Sequence, residues 1–196
     1  MNPEEPDKIK LGSVGLPIAS TECMIVDLST GNPKGVREEG EVWIRGPQVM
    51  KGYLNAPEAT AVTLTPDGWL RTGDVGYVDE DGYCYIVDRV KEMIKYKGLQ
   101  IAPAELEAVL LTHPAVADAA VIPNPDPEAG EVPKAFVVLK PDIPASAEDL
   151  MDYVAERVAP YKKIRRIEFV QQIPKSPAGK ILRRLLVQQE RERLQA

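Results

Sequence analysis

The amino-acid sequence predicts an α+β fold in two parts, and a change of hydrophobic pattern near residue 88 is the main evidence. Before this point, short apolar runs of strand length alternate with turns rich in Gly, Pro and Asp. After it, runs with helical spacing alternate with strand-like runs. We therefore expect a small β-rich domain, a partial barrel, over residues 1–87. A compact α+β domain with a short sheet flanked by helices should cover residues 88–196.

The elements of the first part follow from alternation and turn residues. Strands are predicted at four apolar stretches, namely residues 12–16, 22–27, 41–45 and 83–87. Val42 and Ile44 should share one face of the third strand, because side chains alternate along a strand. A short helix is expected over residues 57–63, where Pro57 suits the first turn and Asn55 lies close enough to cap it.

Strands in the second part are predicted from apolar runs and one hairpin. The hairpin should cover residues 92–102, and alternation along it should direct Lys95 and Lys97 to the same side. Three further strands are predicted, at residues 116–122, 135–139 and 167–170. The run at residues 135–139 is apolar enough for burial on both faces of a sheet.

Three helices are predicted in the second part. Pro103 begins a helix that ends at Leu111, and Ser146 caps a helix that ends at Pro160. The last helix should begin at Ile181. Its inner face is predicted to carry Ile181, Leu182, Leu185 and Leu186.

The composition excludes several classes of protein. With 44% hydrophobic and 28% charged residues, the chain falls in the range of globular proteins. No apolar run approaches the roughly 18 residues of a membrane span, so a cytoplasmic protein without such a span is predicted. Cys23 and Cys84 lie in strand-like stretches and are expected as reduced thiols. Because His113 is the single histidine, neither a His-rich metal site nor a Ser-His-Asp triad is predicted.

Charge is unevenly distributed along the chain. Residues 162–196 contain ten Lys and Arg against three Asp and Glu, although the whole chain carries a net charge of −6. Either these residues form a solvated basic helix face, or they meet the phosphates of a ligand. Phe169 is the only aromatic residue in this segment, so the basic residues have no interleaved platform on which bases could stack. A nucleic-acid partner is therefore not predicted.

Three short segments carry most of the functional information. They read RTGD at residues 71–74, DRVKEMIKYKG at residues 88–98 and PKSPAGK at residues 174–180. In this order and spacing they resemble the C-terminal portion of the acyl-adenylate-forming synthetases, closest to the 4-coumarate, luciferase and fatty acyl-CoA ligase branch. In that family several hundred residues precede these motifs. The resemblance therefore implies that residues 1–87 are the last subdomain of a large N-terminal domain.

The resemblance implies an ATP-dependent acyl-CoA ligase. Such an enzyme joins a carboxylic acid to ATP as an acyl-adenylate with release of pyrophosphate, and then forms a thioester with CoA. ATP or AMP, CoA and Mg²⁺ are the implied cofactors, with Mg²⁺ held mainly by the N-terminal domain of the same enzyme. Because the phosphate loop and the acyl pocket belong to that domain, the chain alone is expected to be inactive.

Two other functions remain open. Strands of the β-rich part should leave an unpaired edge, which would suit a non-catalytic interaction module or self-association. An adenylation domain that loads a carrier protein would use the same chemistry with another acceptor. The sequence QIAPAE at residues 100–105, after KYKG, looks more like the branch that uses CoA.

Asp74 and Arg89 are the candidate ribose contacts. A carboxylate accepts two hydrogen bonds side by side, which matches the cis 2′ and 3′ hydroxyls of a ribose. Alone, Asp74 could equally cap local backbone amides in a turn. The resemblance implies that Asp74 and Arg89 hold the ribose of ATP and of the acyl-adenylate. It also implies that the C-terminal domain rotates about Asp88 and Arg89 between the two half-reactions, the alternative being an ordinary surface ion pair.

The remaining candidates are four lysines and one glycine. The resemblance implies that Lys91 and Lys95 lie near the adenylate, while Lys97 and Gly98 line the entry for the pantetheine arm of CoA. A solvated hairpin whose lysines prevent edge pairing is the alternative. The resemblance further implies that Lys180 bridges the substrate carboxylate and the α-phosphate during adenylation. A solvent-exposed lysine is the alternative for that position.

Overall fold

The computed structural model describes residues 9–195, and the side chains of residues 9–193. It confirms the α+β class, with strands and helices in both halves of the chain. The strands are β1 (Glu22–Val26), β2 (Gly40–Arg45), β3 (Leu70–Val78), β4 (Cys84–Arg89), β5 (Ile94–Tyr96), β6 (Leu99–Ile101), β7 (Val116–Asp126), β8 (Gly130–Leu139) and β9 (Arg166–Phe169). The helices are α1 (Pro57–Thr63), α2 (Pro103–Leu111), α3 (Ala147–Ala155) and α4 (Arg183–Gln195).

The chain divides into two compact units, of which the first ends at Lys91 and the second begins at Glu92. Each unit has its own sheet, and neither sheet is closed. The boundary expected from the hydrophobic pattern, between residues 87 and 88, lies a few residues earlier. A single 3₁₀ turn, Val90–Glu92, follows β4 at this point of the chain.

The first unit contains an antiparallel meander in which β1, β2, β3 and β4 are neighbours in chain order. Ile25, Val42 and Cys84 form its buried cluster, and Ile44 packs against them on the face predicted for Val42. The predicted strand at residues 12–16 is wrong. Only a single bridge joins Gly15 to Cys84 there, and Gly15 has a φ of 91°, which lies outside the range of regular β-strands.

Helix α1 has the predicted bounds but not the predicted cap. The N-cap position is Ala56, which makes no side-chain hydrogen bond. Asn55 lies one residue earlier in a left-handed conformation with a φ of 53°. The Thr60 hydroxyl instead holds the first turn, because it donates to the Ala56 carbonyl at 2.9 Å and accepts from the Tyr53 amide at 2.9 Å.

The sheet of the second unit is buried on both faces at its centre. Strands run in the order β6, β5, β8, β7, and β9 pairs in parallel with β8. Alternate residues of a strand face opposite sides. Val121 and Val137 therefore pack into the cluster that includes α2 and α3, while Ile122 and Phe136 pack with Leu186 of α4. The predicted burial of β8 on both faces is confirmed.

Helix α3 begins as predicted and ends earlier than predicted. Ser146 and Asp149 form a reciprocal capping box, in which the Asp149 amide donates to the Ser146 hydroxyl at 3.1 Å and the Ser146 amide donates to the Asp149 carboxylate at 3.0 Å. The helix ends at Ala155 rather than at Pro160. Ala159 is extended, with a ψ of 147°, because proline disfavours helical backbone in the residue before it.

Helix α4 begins two residues later than predicted. Ile181 forms a bridge with Lys175 and is therefore extended rather than helical. This start turns Leu182 and Leu185 outward, where each is 37% exposed, and leaves Leu186 as the buried leucine of the predicted face. In the stretch from residue 9 to residue 195, no helix combines the length and the apolar character needed to cross a bilayer.

Candidate functional site

The RTGD segment lies on an irregular part of β3. In the pairing of β2 with β3, residues 72–74 oppose Val42 alone, so that the segment bulges out of the ladder. A bulge of this kind redirects the side chains that follow it. Thr72 secures the bulge, because its hydroxyl donates to the Val42 carbonyl at 2.7 Å and accepts from the Asp74 amide at 3.1 Å. Gly73 supplies the left-handed backbone at the bulge, with a φ of 73°.

Glu41 also supports the bulge, and the sequence patterns did not predict it. One of its carboxylate oxygens accepts from the Gly73 amide at 3.0 Å, and the other accepts from the Trp43 indole at 2.8 Å. Alternation along β2 was the available signal. Glu41 and Trp43 lie on the face opposite Val42, which is where a polar contact to the neighbouring strand can form.

Asp74 and Arg89 are directly opposite each other on β3 and β4. The Arg89 Nε donates to the Asp74 Oδ1 at 3.0 Å, with the two side chains 45% and 30% exposed. Within residues 9–193, the Asp74 carboxylate accepts no other hydrogen bond, so it caps no local amide. Its second oxygen is therefore available to a ligand, since an ionised carboxylate accepts at both oxygens.

Asp88 precedes Arg89 and is 8% exposed. Its Oδ1 accepts from the Arg89 backbone amide at 2.8 Å, which fixes the end of β4 beside Asp74. Lys91 follows in the 3₁₀ turn and is exposed.

Lys97 and Gly98 form the two-residue turn between β5 and β6. Their φ angles of 46° and 80° are those of a type I′ hairpin turn, which favours glycine at its second position. The sequence predicted from strand alternation that Lys95 and Lys97 share a side. This argument fails, because Lys97 lies in the turn and strand alternation does not apply to it. Lys95 lies on β5 and is exposed. Among described residues, neither ammonium group has a carboxylate within ion-pair distance.

Lys180 lies at the end of a tight hairpin between Lys175 and Ile181. The Gly179 amide donates to the Ser176 carbonyl at 2.8 Å, and the Ser176 amide donates to the Lys180 carbonyl at 2.8 Å. Ser and Pro occupy the first two turn positions and Gly179 is left-handed, the pattern of a type I turn followed by a bulge. Lys180 is exposed, and its ammonium has no ion-pair partner in the described part of the chain.

Four other basic residues of the C-terminal segment, Lys162, Lys175, Arg183 and Arg193, form ion pairs within the described part of the second unit. Lys162 Nζ lies 2.6 Å from a Glu105 oxygen, and Lys175 Nζ lies 2.7 Å from an Asp118 oxygen. Arg183 contacts two buried or half-buried glutamates. Part of the positive charge in residues 162–193 is thus neutralised internally, whereas the Lys180 ammonium is not.

A cavity of about 320 Å³ opens beside the RTGD segment in the first unit. Its lining is mostly apolar, and it includes Asp74 and Thr72 as polar groups. Cys23 and Cys84 also line it as free thiols. The contact with the Cys23 thiol, together with burial, raises the pKa of Cys84. Over the described residues, no group of three or more His, Cys, Asp or Glu side chains is arranged to hold a metal ion.

Comparison with known proteins identifies the family of this chain. The model of the AMP-binding enzyme C-terminal domain matches residues 105–180, and that of the AMP-binding enzyme matches residues 1–54. A 4-coumarate–CoA ligase-like protein of Oryza sativa subsp. japonica is 60% identical over 91% of this chain and 30% of its own length. The chain belongs to the acyl-adenylate-forming synthetases. This family assignment confirms the resemblance that the three motifs indicated.

Two further members of the family extend the comparison. The peroxisomal OPC-8:0-CoA ligase 1 of Arabidopsis thaliana is 55% identical over 91% of this chain and 33% of its own length. The o-succinylbenzoate CoA synthetase of Bacillus subtilis, solved with its acyl-adenylate, has a TM-score of 0.79 and 42% identity over 90% of this chain and 36% of that chain. The chain thus spans about a third of the length of these synthetases. One relative is named peroxisomal, so a cytoplasmic location stays a prediction.

Proposed function

We propose that this chain carries the ribose contacts and the adenylation lysine of an ATP-dependent acyl-CoA ligase. The pair of Asp74 and Arg89 is the observation on which the proposal rests. Two residues separated by fourteen others in the sequence face each other across two strands, and the acidic partner retains an unused oxygen. Relatives at 55–60% identity are named as CoA ligases, which supports the same reaction class.

The Asp74 carboxylate suits a ribose because Arg89 engages one of its oxygens and leaves the other as an acceptor. Arg89 occupies one oxygen from the side of β4, and the bulge at residues 72–74 turns the carboxylate out of the ladder. The remaining acceptor positions match adjacent hydroxyls of a ribose. Each charge-assisted hydrogen bond contributes about 1.5–3 kcal/mol.

Lys180 suits the reacting carboxylate and the α-phosphate. Its hairpin fixes the backbone while the ammonium stays unpaired, so that its charge is available to a ligand. Electrostatic stabilisation of this kind is worth roughly 3–4 kcal/mol. Lys91 and Lys95 are proposed to lie near the adenylate. Mg²⁺ is proposed to be held mainly by the N-terminal domain of the same enzyme, as the resemblance implies.

The turn at Lys97 and Gly98 is proposed to admit the pantetheine arm of CoA in the second half-reaction. A side chain on Gly98 would meet no atom of the described chain within 4 Å, so its surface is open to a ligand. Asp88 is proposed as the hinge between the half-reactions. Its hydrogen bond to the Arg89 amide would have to persist or be exchanged as the backbone angles change there.

Reconstitution tests the proposed function. This chain would be mixed with the separately produced N-terminal portion of the rice relative, and AMP formation from ATP, CoA and a panel of carboxylic acids would be followed. We expect activity from the mixture and none from either piece alone. Absence of AMP formation from two folded and associated pieces would contradict the proposal.

A further inference from the structure

A buried ionic cluster lies next to the Lys180 hairpin within the second unit. It consists of Arg183 with Glu92 and Glu107, whose side chains are 14%, 19% and 8% exposed. Arg183 is the first residue of α4 and follows Lys180 by three positions. Its Nη1 lies 2.5 Å from a Glu92 oxygen, and its Nη2 lies 2.6 Å from a Glu107 oxygen. The three residues are therefore joined by one guanidinium group.

Glu107 is itself held in place from another direction. Its Oε1 accepts from the Val121 backbone amide of β7 at 2.8 Å and from the Arg183 Nε at 3.3 Å. The contact between Arg183 and Glu107 thus uses two donors of the guanidinium on two oxygens of the carboxylate. Such a bidentate contact fixes orientation as well as distance, which a lysine could not reproduce.

Glu92 connects the cluster to the hairpin of β5 and β6. It is the last residue of the 3₁₀ turn, and Lys95 of β5 follows it by three positions. Arg183 therefore links the segment that carries Lys180 to the segment that carries Lys95. Both lysines are exposed, and neither has an ion-pair partner in the described residues that could fix its position.

From this geometry we propose that Arg183, clamped by Glu92 and Glu107, is a positioning residue for Lys180. Through Glu92 it ties the hairpin at residues 174–181 to the turn that precedes β5, so that the Lys180 ammonium is presented at a fixed place. The inference rests on the proposed function of Lys180. It assigns to Arg183 no contact with a substrate.

A second buried ion pair on α4 provides a control. It distinguishes positioning of the Lys180 hairpin by Arg183 from a general role of buried ion pairs in attaching α4 to the sheet. Lys134 Nζ lies 2.5 Å from a Glu190 oxygen, with side chains 10% and 7% exposed, and Glu190 also accepts from Asn124 at 2.8 Å. This pair joins α4 to the centre of the sheet, about two turns beyond Arg183. Glu190→Gln is therefore a matched control that weakens a buried ion pair of α4 away from the hairpin.

Hydrogen exchange on the full 196-residue chain tests the positioning directly. We expect Arg183→Lys and Glu92→Gln to raise the amide exchange rate of residues 174–181 at least tenfold, because in the described part of the chain the hairpin then keeps only the ion pair of Lys175 with Asp118 as an ionic anchor. Glu190→Gln should leave that rate within about twofold of the unsubstituted chain. Unchanged exchange in Arg183→Lys, or an equal rise in Glu190→Gln, would overturn the proposal whatever the reaction proves to be.

The reconstituted enzyme supplies the second readout. Glu92→Gln should lower the kcat of adenylation about tenfold with a nearly unchanged KM for ATP, and it should have no further effect when Lys180→Ala is present. Independent, multiplying effects of the two substitutions would contradict positioning through Lys180. If the unsubstituted mixture makes no AMP while the exchange result holds, the proposed function fails and the role of Arg183 in holding the hairpin stands.

Discussion

The two units place their candidate functional residues in different ways. In the first unit, Asp74 and Arg89 lie on paired strands and partly neutralise each other. In the second, Lys97 and Lys180 lie on turns and carry unpaired charges, while Lys162 and Lys175 are paired with carboxylates. A strand pair fixes a hydrogen-bonding geometry, which suits recognition of a sugar. A stiff turn presents a free charge, which suits a reacting phosphate.

The cores of the two units also differ, in how far their sheets are buried. The buried cluster of the first sheet is small, with Ile25, Val42 and Cys84 on one face. The second sheet is buried on both faces, by α2 and α3 on one side and α4 on the other. Turns that must hold a charge without a partner thus rest on the larger core. Four predictions test this comparison.

Lys180→Ala should have the largest effect. Loss of its charge removes electrostatic stabilisation of about 3–4 kcal/mol, so AMP formation by the reconstituted enzyme should fall 100- to 1000-fold. Arg184→Ala is the matched control, because it removes another exposed cation of the same region. An equal loss in both variants would show that net charge, rather than the position of Lys180, matters.

Leu110→Ala should destabilise the second unit by about 3 kcal/mol, since it opens a cavity at a fully buried position. Leu111→Ala is the control, because Leu111 is 49% exposed. Both tryptophans, Trp43 and Trp69, belong to the first unit, so their fluorescence reports on that unit alone. We expect urea unfolding followed by circular dichroism to shift while the fluorescence transition stays in place. A joint shift would contradict independent cores.

Asp74→Asn should weaken binding of the adenine nucleotide to the reconstituted enzyme by about 2 kcal/mol, or some thirtyfold, because one charge-assisted acceptor is lost. Asp67→Asn removes the same charge from an exposed turn of the first unit and serves as the control. Calorimetric titration with AMP measures both. If Asp74→Asn binds AMP as tightly as the unsubstituted protein, the ribose assignment is wrong.

Ser146→Ala should cost about 1 kcal/mol of stability in the second unit, since it removes a helix cap. The Ser146 hydroxyl and amide also hold the pKa of Asp149 below its usual value. A lowered folded pKa stabilises the fold above the unfolded pKa, and this contribution disappears as the pH falls through the folded pKa. The stability difference between the unsubstituted chain and Ser146→Ala should therefore be largest near pH 7 and become smaller below about pH 4. A constant difference across that range would exclude a contribution from the hydrogen bonds of Ser146 to the ionised Asp149 carboxylate.

Elements whose bounds depend on neighbouring residues were predicted well from the sequence. Elements whose bounds depend on contacts with distant residues were predicted less well. Helices α1 and α2 have the predicted bounds, because proline at the first turn is a local signal. Strand β3 was not among the predicted strands, since Gly73 and Gly76 interrupt its alternation and its bulge is set by β2. The late start of α4 follows from the turn at Gly179, which no helical periodicity reports.

The same distinction between local and long-range signals applies to the residues of the candidate site. Asp74, Arg89 and Lys180 came from the resemblance carried by three motifs, and the structure adds how each is held. The cluster of Arg183, Glu92 and Glu107 leaves no local pattern, because its members are far apart in sequence and meet only in the folded unit. Long-range ionic contacts of this kind are set by tertiary packing, which hydrophobic periodicity does not encode.

The most direct test of the division between ribose recognition, adenylation and thioester formation is a half-reaction measurement on the reconstituted enzyme. Unsubstituted and Lys180→Ala mixtures would receive either acid with ATP, or a preformed acyl-adenylate with CoA. We predict that Lys180→Ala loses at least 100-fold in adenylation and keeps thioester formation within about threefold. An equal loss in both half-reactions would contradict the assignment of Lys180 to adenylation.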